Sequence, residues 1–431
     1  MQVQLSHEGR PPYGRWTYVA VVIGAGLGML VGYAPLFNGT AGVFVRPLSA
    51  EFGWGRSEGA LSYSASMFGL ALVSPIVGTM MDRFGIRRVI ACSAVVFGAA
   101  MAAMALQNGS ITLWVLLSAL VGVAGAATSS LGYLAALPQW FDRRLGLALG
   151  LAMCGVGLGT VVMPMIAQFL IATYGWRAAY ATLGFGAIVL SLLACALLRE
   201  RLAPTKAGMA SPRTGVALAT ALRSYRLWAI WLAFVLASSA TLSLWSHLPS
   251  MFADRGFTAQ EAARSASMVG LGLLIGRIVT GILIDHIHAP LVAAGFFIGG
   301  AAGILLLRGT GNYGVMLSAA ALIGLAIGAE GDLMTYLVRS YFGLRAFGTL
   351  FGIALSGYGF GAVIGPIGLG AWFDRHGDYA VPLSVLPIVL GVAAVLVLSL
   401  GRYPYPSTRR VANVAARLDL NGEATAIDAE R

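Results

Sequence analysis

The chain has 431 residues, 58% of them hydrophobic and only 10% charged, against about 25% charged in an ordinary soluble domain. That composition excludes a water-soluble enzyme, a secreted disulfide scaffold and a nucleic-acid binder, and it predicts an all-α polytopic membrane protein. The net charge of +11 does not gather on one basic domain; the arginines punctuate apolar runs, so no nucleic acid is expected as a partner.

In chain order, residues 1–15 are polar, carry Pro11 and Pro12, and lack the small-residue cleavage site of a secretory leader, so an uncleaved amino-terminal segment is expected. Twelve apolar stretches of about 20 residues follow, the length that crosses roughly 30 Å of hydrocarbon. The first six run from Trp16 to Phe37, Ala60 to Met81, Ile86 to Leu106, Ile111 to Leu137, Leu145 to Leu170 and Ala178 to Leu198, giving one six-helix bundle over 16–198. Residues 199–226, with Arg199, Arg201, Lys206, Arg213, Arg223 and Arg226, form the longest internal polar segment and read as a linker. The second bundle, 227–402, takes Leu227 to Ser250, Ala262 to Ile284, Ala289 to Leu307, Tyr313 to Val338, Ala346 to Gly370 and Ala380 to Gly401, and 403–431 is a polar tail. Of the 28 Lys and Arg residues, 20 fall on the side shared by both termini, 7 on the other side and 1 inside a span. That asymmetry predicts cytoplasmic termini in a bacterial inner (plasma) membrane, with lipid around a monomer.

An internal repeat supports two pseudo-symmetric halves. Gly150, Ala152, Gly155, Gly157, Gly159 and Pro164 recur 202 positions later as Gly352, Ala354, Gly357, Gly359, Gly361 and Pro366. At an offset of 203, Gly78 and Asp82 match Gly281 and Asp285, while Gly125, Ala126 and Tyr133 match Gly328, Ala329 and Tyr336. Matching rows of small residues let helices approach closely where two halves rock about a midplane site, which is alternating access.

Gly78, Asp82, Arg83, Gly85, Arg87 and Arg88, between spans two and three, resemble the cytoplasmic loop signature of the major facilitator superfamily. Physically, Asp82 can pair with a neighbouring helix end or an arginine and latch one conformation, with Asp285 as its mate in the second half. Trp140, Phe141, Arg143, Arg144, Leu147, Ala148, Gly150, Ala152 and Gly155 resemble the span-five signature of the monocarboxylate transporters and their bacterial oxalate/formate relatives, with Trp140 where that pattern has tyrosine. The family's span-one signature survives as Gly14, Arg15 and Trp16. The resemblance implies a twelve-helix major facilitator fold and transport of a small organic anion, coupled to a proton or a counter-anion.

Charges inside spans cost about 2.5 to 3.5 kcal/mol each at the bilayer centre, so Arg277, Glu330 and Asp332 are the leading candidates for function. Arg277 lies eight residues, about 12 Å of helix, before Asp285, which puts it near the midplane. It falls where the resemblance places a substrate-binding arginine, and a guanidinium offers a carboxylate paired donors in one plane. A structural ion pair with Glu330 or Asp332 is the bland alternative. The family's aspartate one turn earlier is Leu273 here, and its span-one lysine has no counterpart near Phe37 and Asn38.

Glu330 and Asp332 stand where the first half has Ala127 and Ser129, so symmetric packing does not require them; they are candidates for proton coupling. Two residues apart, they point about 200° apart, and Asp332 is expected to face the central cavity with Glu330 toward a neighbouring helix. Tyr33, Asn38, Tyr133, His247, Tyr336 and Tyr358 are candidate pocket residues, Tyr133 and Tyr336 as symmetry mates. Cys92, Cys154 and Cys195 sit in apolar runs without metal or disulfide spacing, so neither metal nor cofactor is expected, nor any catalytic residue. The sequence therefore reads as a secondary transporter of an organic monocarboxylate, by proton symport. Anion exchange of the oxalate/formate type, or drug and metabolite efflux on the same fold, remain open alternatives.

Overall fold

The structure is a computed structural model and describes residues 15–54, 56–141, 144–198, 215–309 and 311–404. Most of the expected amino-terminal segment, linker positions 199–214, the tail beyond 404 and Arg143 lie outside the described residues.

The described chain is built almost wholly of helices, as an apolar solvent demands, because a helix satisfies its own backbone groups. Trp16–Phe52, Leu61–Phe84, Ile86–Leu106, Ile111–Gln139, Tyr225–Asp254, Gln260–His286, Ala289–Gly309, Tyr313–Phe342 and Phe347–His376 are each long and apolar enough to cross a membrane. The run Leu145–Leu197 also qualifies, but Gly175 inside it adopts φ 80°, ψ 164° and folds it back on itself. It supplies spans five and six. With the shorter Pro382–Leu398 as the last, twelve crossings are described.

Two spans depart from the expectation. Span one does not stop at Phe37 but continues to Phe52, passing through a π-helical turn at Ala34–Asn38. Thr40 holds the turn by reaching back to the carbonyls of Leu36 (2.6 Å) and Phe37 (3.4 Å). The polar Asn38–Thr40 stretch, read as a span end, is thus an internal break. Span four breaks as well: its α-helix ends at Gly125, a 3-10 turn covers Ala126–Thr128, and Ser129 is extended (φ −88°, ψ −171°) before the helix resumes at Ser130. Hydroxyls satisfy the freed carbonyls. Ser93 donates to Ala124 (2.5 Å), Thr128 to Gly125 (3.0 Å) and Ser129 to Ala126 (2.6 Å). The two breaks face each other, since Gly32 abuts the Thr128 carbonyl and Gly125 abuts the Tyr33 ring.

Within the second half, spans eight and ten pack backbone to backbone through Gly272, Gly276, Gly324 and Gly328, each facing a main-chain carbonyl of the other helix. Between halves, span two lies along span eleven and span five along span eight. At the end carrying both ends of the described chain, Gly78 meets Gly348 and Gly146 meets Gly281 so closely that an added Cβ would collide with backbone. There too the described part of the linker is pinned, Val216 N–H donating to the Phe342 carbonyl at 2.8 Å. At the opposite end of the first half, Glu51 accepts from Trp176 Nε1 (2.6 Å) and pairs with Arg177 (2.8 Å), whose guanidinium stacks on the Trp176 ring.

Candidate functional site

The glycine contacts between spans eight and ten set Arg277 and Asp332 side by side in the middle of the second half. Arg277 is 6% exposed, and Asp332 and Glu330 are fully buried. Arg277 lies within electrostatic reach of Asp332, Tyr358 and Cys154, yet it forms no direct ion pair with either carboxylate. Its Nη1 instead donates to the main-chain carbonyl of Met153 in span five, across the boundary between the halves. Its Nε and both oxygens of Asp332 have no hydrogen bond from the described residues. Burying unpaired polar atoms costs roughly 1–3 kcal/mol each, so this cluster is the candidate place for ligand binding or proton exchange.

Glu330 turns the other way, toward span seven. Its Oε1 lies 3.0 Å from the Thr241 hydroxyl, which also lies 3.0 Å from the Ala237 carbonyl. That hydroxyl has one proton and can donate to ionised Glu330, or donate to Ala237 and accept from protonated Glu330. Either charge state keeps a partner. The second oxygen of Glu330 is unpartnered among the described residues, and the carboxyl lies within electrostatic reach of Tyr358.

The first half supplies the facing wall. Tyr33 donates to Ser66 (2.9 Å), which lies 3.4 Å from Asn38 Oδ1, and the Asn38 amide nitrogen is left without a partner among the described residues. Tyr358 lies within electrostatic reach of Tyr33, Tyr63, Glu330 and Arg277, so these groups surround one locus drawn from spans one, two, eight, ten and eleven. Tyr33, Asn38, Tyr358, Arg277, Glu330 and Asp332 are thus brought together.

Three candidates are placed elsewhere. Tyr133 is fully buried inside the first bundle, its ring against Gly28 of span one and its hydroxyl beside Ser191 and Cys195 of span six. Its mate Tyr336 lies near Asp285, Arg339 and Tyr403, at the end carrying the termini. His247 contacts the Pro366 carbonyl (3.3 Å) and stacks edge-on against Tyr379, toward the opposite end. The repeat pairs the two tyrosines, but Tyr133 packs inside the first bundle while Tyr336 lies beside Asp285 at the end carrying the termini, so they do not line one locus.

Ser66, Tyr63, Thr241, Cys154 and the Met153 carbonyl escaped the sequence reading. Cys154 had a signal, because its mate at offset 202 is Ser356, which accepts from Trp231 (3.2 Å) and is polar in the same place. Thr241 stands 203 positions after Asn38, the offset that relates spans two and eight. A main-chain carbonyl leaves no such trace.

A second site lies at the end carrying the termini. Asp82 accepts from the backbone N–H groups of Gly348 (2.9 Å) and Thr349 (2.8 Å) and from the Thr349 hydroxyl (2.8 Å). Asp285 accepts from Gly146 (2.8 Å) and Leu147 (3.1 Å). Each carboxylate caps the first turn of a helix in the other half, satisfying N–H groups that the helix leaves free and meeting the positive end of its dipole. Gly78 makes the approach possible on one side, while Arg83, Arg87 and Arg88 are exposed around the same loop. The halves are fastened at this end by a matched pair of caps.

The chain matches the Major Facilitator Superfamily over residues 20–366. It is 26% identical over 336 residues to the uncharacterized MFS-type transporter YhjX of Escherichia coli, covering 76% of this chain and 80% of that one. It is also 26% identical over 386 residues to monocarboxylate transporter 11 of Mus musculus, covering 87% and 85% respectively. Among solved structures it is similar in fold to the E. coli fucose:proton symporter FucP, with a TM-score of 0.68, 15% identity and coverage of 90% of this chain and 100% of that one. The proton:xylose symporter XylE gives a TM-score of 0.69 at 13% identity, covering 90% and 96%. With the twelve-crossing architecture, the two matched halves and a family match over most of its length, this chain belongs to the major facilitator superfamily and is a multi-pass membrane transporter rather than an enzyme.

Proposed function

We propose that this transporter carries an organic monocarboxylate by alternating access, with Arg277 as the carboxylate anchor. The observation that carries the reading is a buried arginine at the boundary between the halves whose guanidinium is not consumed by an ion pair and keeps an N–H unpartnered among the described residues. The similarity to proteins named monocarboxylate transporters supports the same substrate class. Tyr33 and Asn38 line the facing wall, and Tyr358 joins them from span eleven. The basic residues concentrate on the side of the termini, which supports a cytoplasmic assignment for that side in a bacterial inner membrane. The capped arrangement then corresponds to a carrier closed toward the cytoplasm.

Coupling follows from charge balance. A carboxylate on Arg277 neutralises the guanidinium, leaving Asp332 without its nearby cation in a dry site, where uptake of a proton restores neutrality. Substrate and proton therefore load together as a symport. Glu330, with a hydroxyl partner suited to both charge states, is the second place a proton can reside. Counterflow of radiolabelled small carboxylates by purified protein in liposomes tests the substrate class. The reading expects exchange that is saturable by monocarboxylates and lost in Arg277→Ala; exchange of neutral or cationic compounds independent of Arg277 would refute it.

A further inference from the structure

The arginine proposed to hold the substrate is already making a bond, and that bond joins the two halves. Arg277 belongs to span eight of the second half, and the acceptor of its Nη1 proton is the Met153 carbonyl of span five in the first. The neighbouring contacts show how tightly the two helices abut there: a Cβ on Gly150 would come within 2.9 Å of the Arg277 carbonyl, and Gly157 faces the Leu274 side chain. About two turns further along, the same two helices carry the Asp285 cap on Gly146 and Leu147. Spans five and eight thus share one seam that runs from the cap to the substrate locus.

We propose that the Arg277–Met153 contact is a bolt that holds the empty carrier in its capped state and that the substrate carboxylate draws by competing for the same guanidinium. The inference rests on the reading of Arg277 as carboxylate anchor and adds to it a role in the absence of substrate. A carboxylate is a stronger acceptor for a guanidinium than a main-chain carbonyl that also belongs to a helix. When the carboxylate takes the N–H groups, the first half loses this polar hold on the second beside the substrate locus, and the caps and the close helix contacts remain. A ligand moves a conformational equilibrium only by the difference in its affinity for the two states, and displacement of an inter-half bond supplies such a difference. Opening toward the termini side is thereby tied to loading.

Asp332, Tyr358 and Cys154 also face the guanidinium, but none bridges the halves by hydrogen bonding to it. Cys154 is next to Met153 in span five and offers no competing acceptor of comparable strength. The Met153 carbonyl is therefore the contact through which Arg277 senses the position of the first half.

The test is hydrogen–deuterium exchange of the capped amides, Gly146, Leu147, Gly348 and Thr349, in full-length protein in nanodiscs, beside calorimetric binding of acetate and pyruvate as probes. In ligand-free protein, Arg277→Ala is expected to speed exchange at these amides on the order of tenfold, the effect of losing one charge-assisted hydrogen bond between the halves. Arg277→Lys, which keeps a cation able to reach a carbonyl but not the planar fork, is expected to exchange within about threefold of wild type while losing carboxylate affinity. Ligand-free Arg277→Ala that exchanges like wild type overturns the bolt; if carboxylate binding is lost all the same, the anchor reading stands alone. Should neither probe bind the wild type, the anchor reading fails and the ligand-free comparison still decides whether the inter-half contact holds the caps. A probe that binds the wild type without speeding exchange at the capped amides also overturns displacement, whatever the folding yield of the variants.

Discussion

The two halves are related by a repeat, yet they differ where the repeat matters most. In the first half, spans one and four break at Ala34–Asn38 and Ala126–Ser129, the breaks pack on each other, and neither carries a charge there. In the second half, spans seven and ten run unbroken over Tyr225–Asp254 and Tyr313–Phe342, and span ten carries Glu330 and Asp332 at the positions of Ala127 and Ser129. The contrast has a physical basis. A charge in a dry site must be held in place by a rigid helix and close neighbours, whereas a broken helix exposes backbone that small hydroxyls can satisfy. One half holds the electrostatics and the other supplies hydrogen-bonding surface and local give.

The sharpest way to break this division is to remove the charge. Arg277→Ala is expected to reduce initial-rate uptake in proteoliposomes by about 100-fold or more, and Arg277→Lys to fall nearly as far. Alanine in the first-half wall, at Asn38 or Ser66, is expected to cost far less. Comparable losses on both walls would show that the charge is not concentrated in function as it is in structure.

Next in size is coupling. Asp332→Asn is expected to abolish accumulation driven by an imposed pH difference while retaining substrate exchange, with Glu330→Gln giving the smaller defect. External acidification should stimulate uptake by the wild type and not by the uncoupled variant. If both neutralised variants still accumulate substrate on a pH difference alone, span ten does not carry the proton and anion exchange becomes the better mechanism.

The caps are where the halves should behave alike. Asp82→Asn and Asp285→Asn each remove charge from a helix-capping carboxylate, an interaction worth roughly 1 kcal/mol, so turnover is expected to change about threefold to tenfold with KM within a few-fold. Stopped-flow transport traces would separate the two parameters. A large affinity loss without a rate change would assign these aspartates to substrate handling.

The smallest effects are expected from the mates Tyr133→Phe and Tyr336→Phe, with KM within about twofold of wild type, because both rings lie away from the central locus. A tenfold rise in KM for either would return it to the binding site.

Much of the architecture is legible in the chain itself. Span lengths, the 202–203 offset and the loop around Asp82 depend on composition and spacing, which the bilayer reads directly. Arg277 is legible for the same reason, since an arginine in a long apolar run is too costly to stand there without a role. The breaks are not. Ser93, Thr128 and Ser129 read as ordinary polar residues until the freed carbonyls they satisfy are in view, and Asn38–Thr40 resembles a span end because polarity marks a break and a terminus alike. The orientation of Tyr133 and Tyr336 depends on helix rotation, which an apolar run buried on most sides does not encode. The Met153 carbonyl is beyond side-chain pattern altogether.

The seam between the halves has one more consequence. Where Gly78 meets Gly348 and Gly146 meets Gly281, main chain lies directly against main chain. Parting such surfaces exposes little hydrocarbon that was hidden from water, and heat-capacity changes scale with that exposure. These glycine contacts should therefore add little to the heat-capacity term of the conformational step, which is left to apolar pairs such as Phe68 and Phe360.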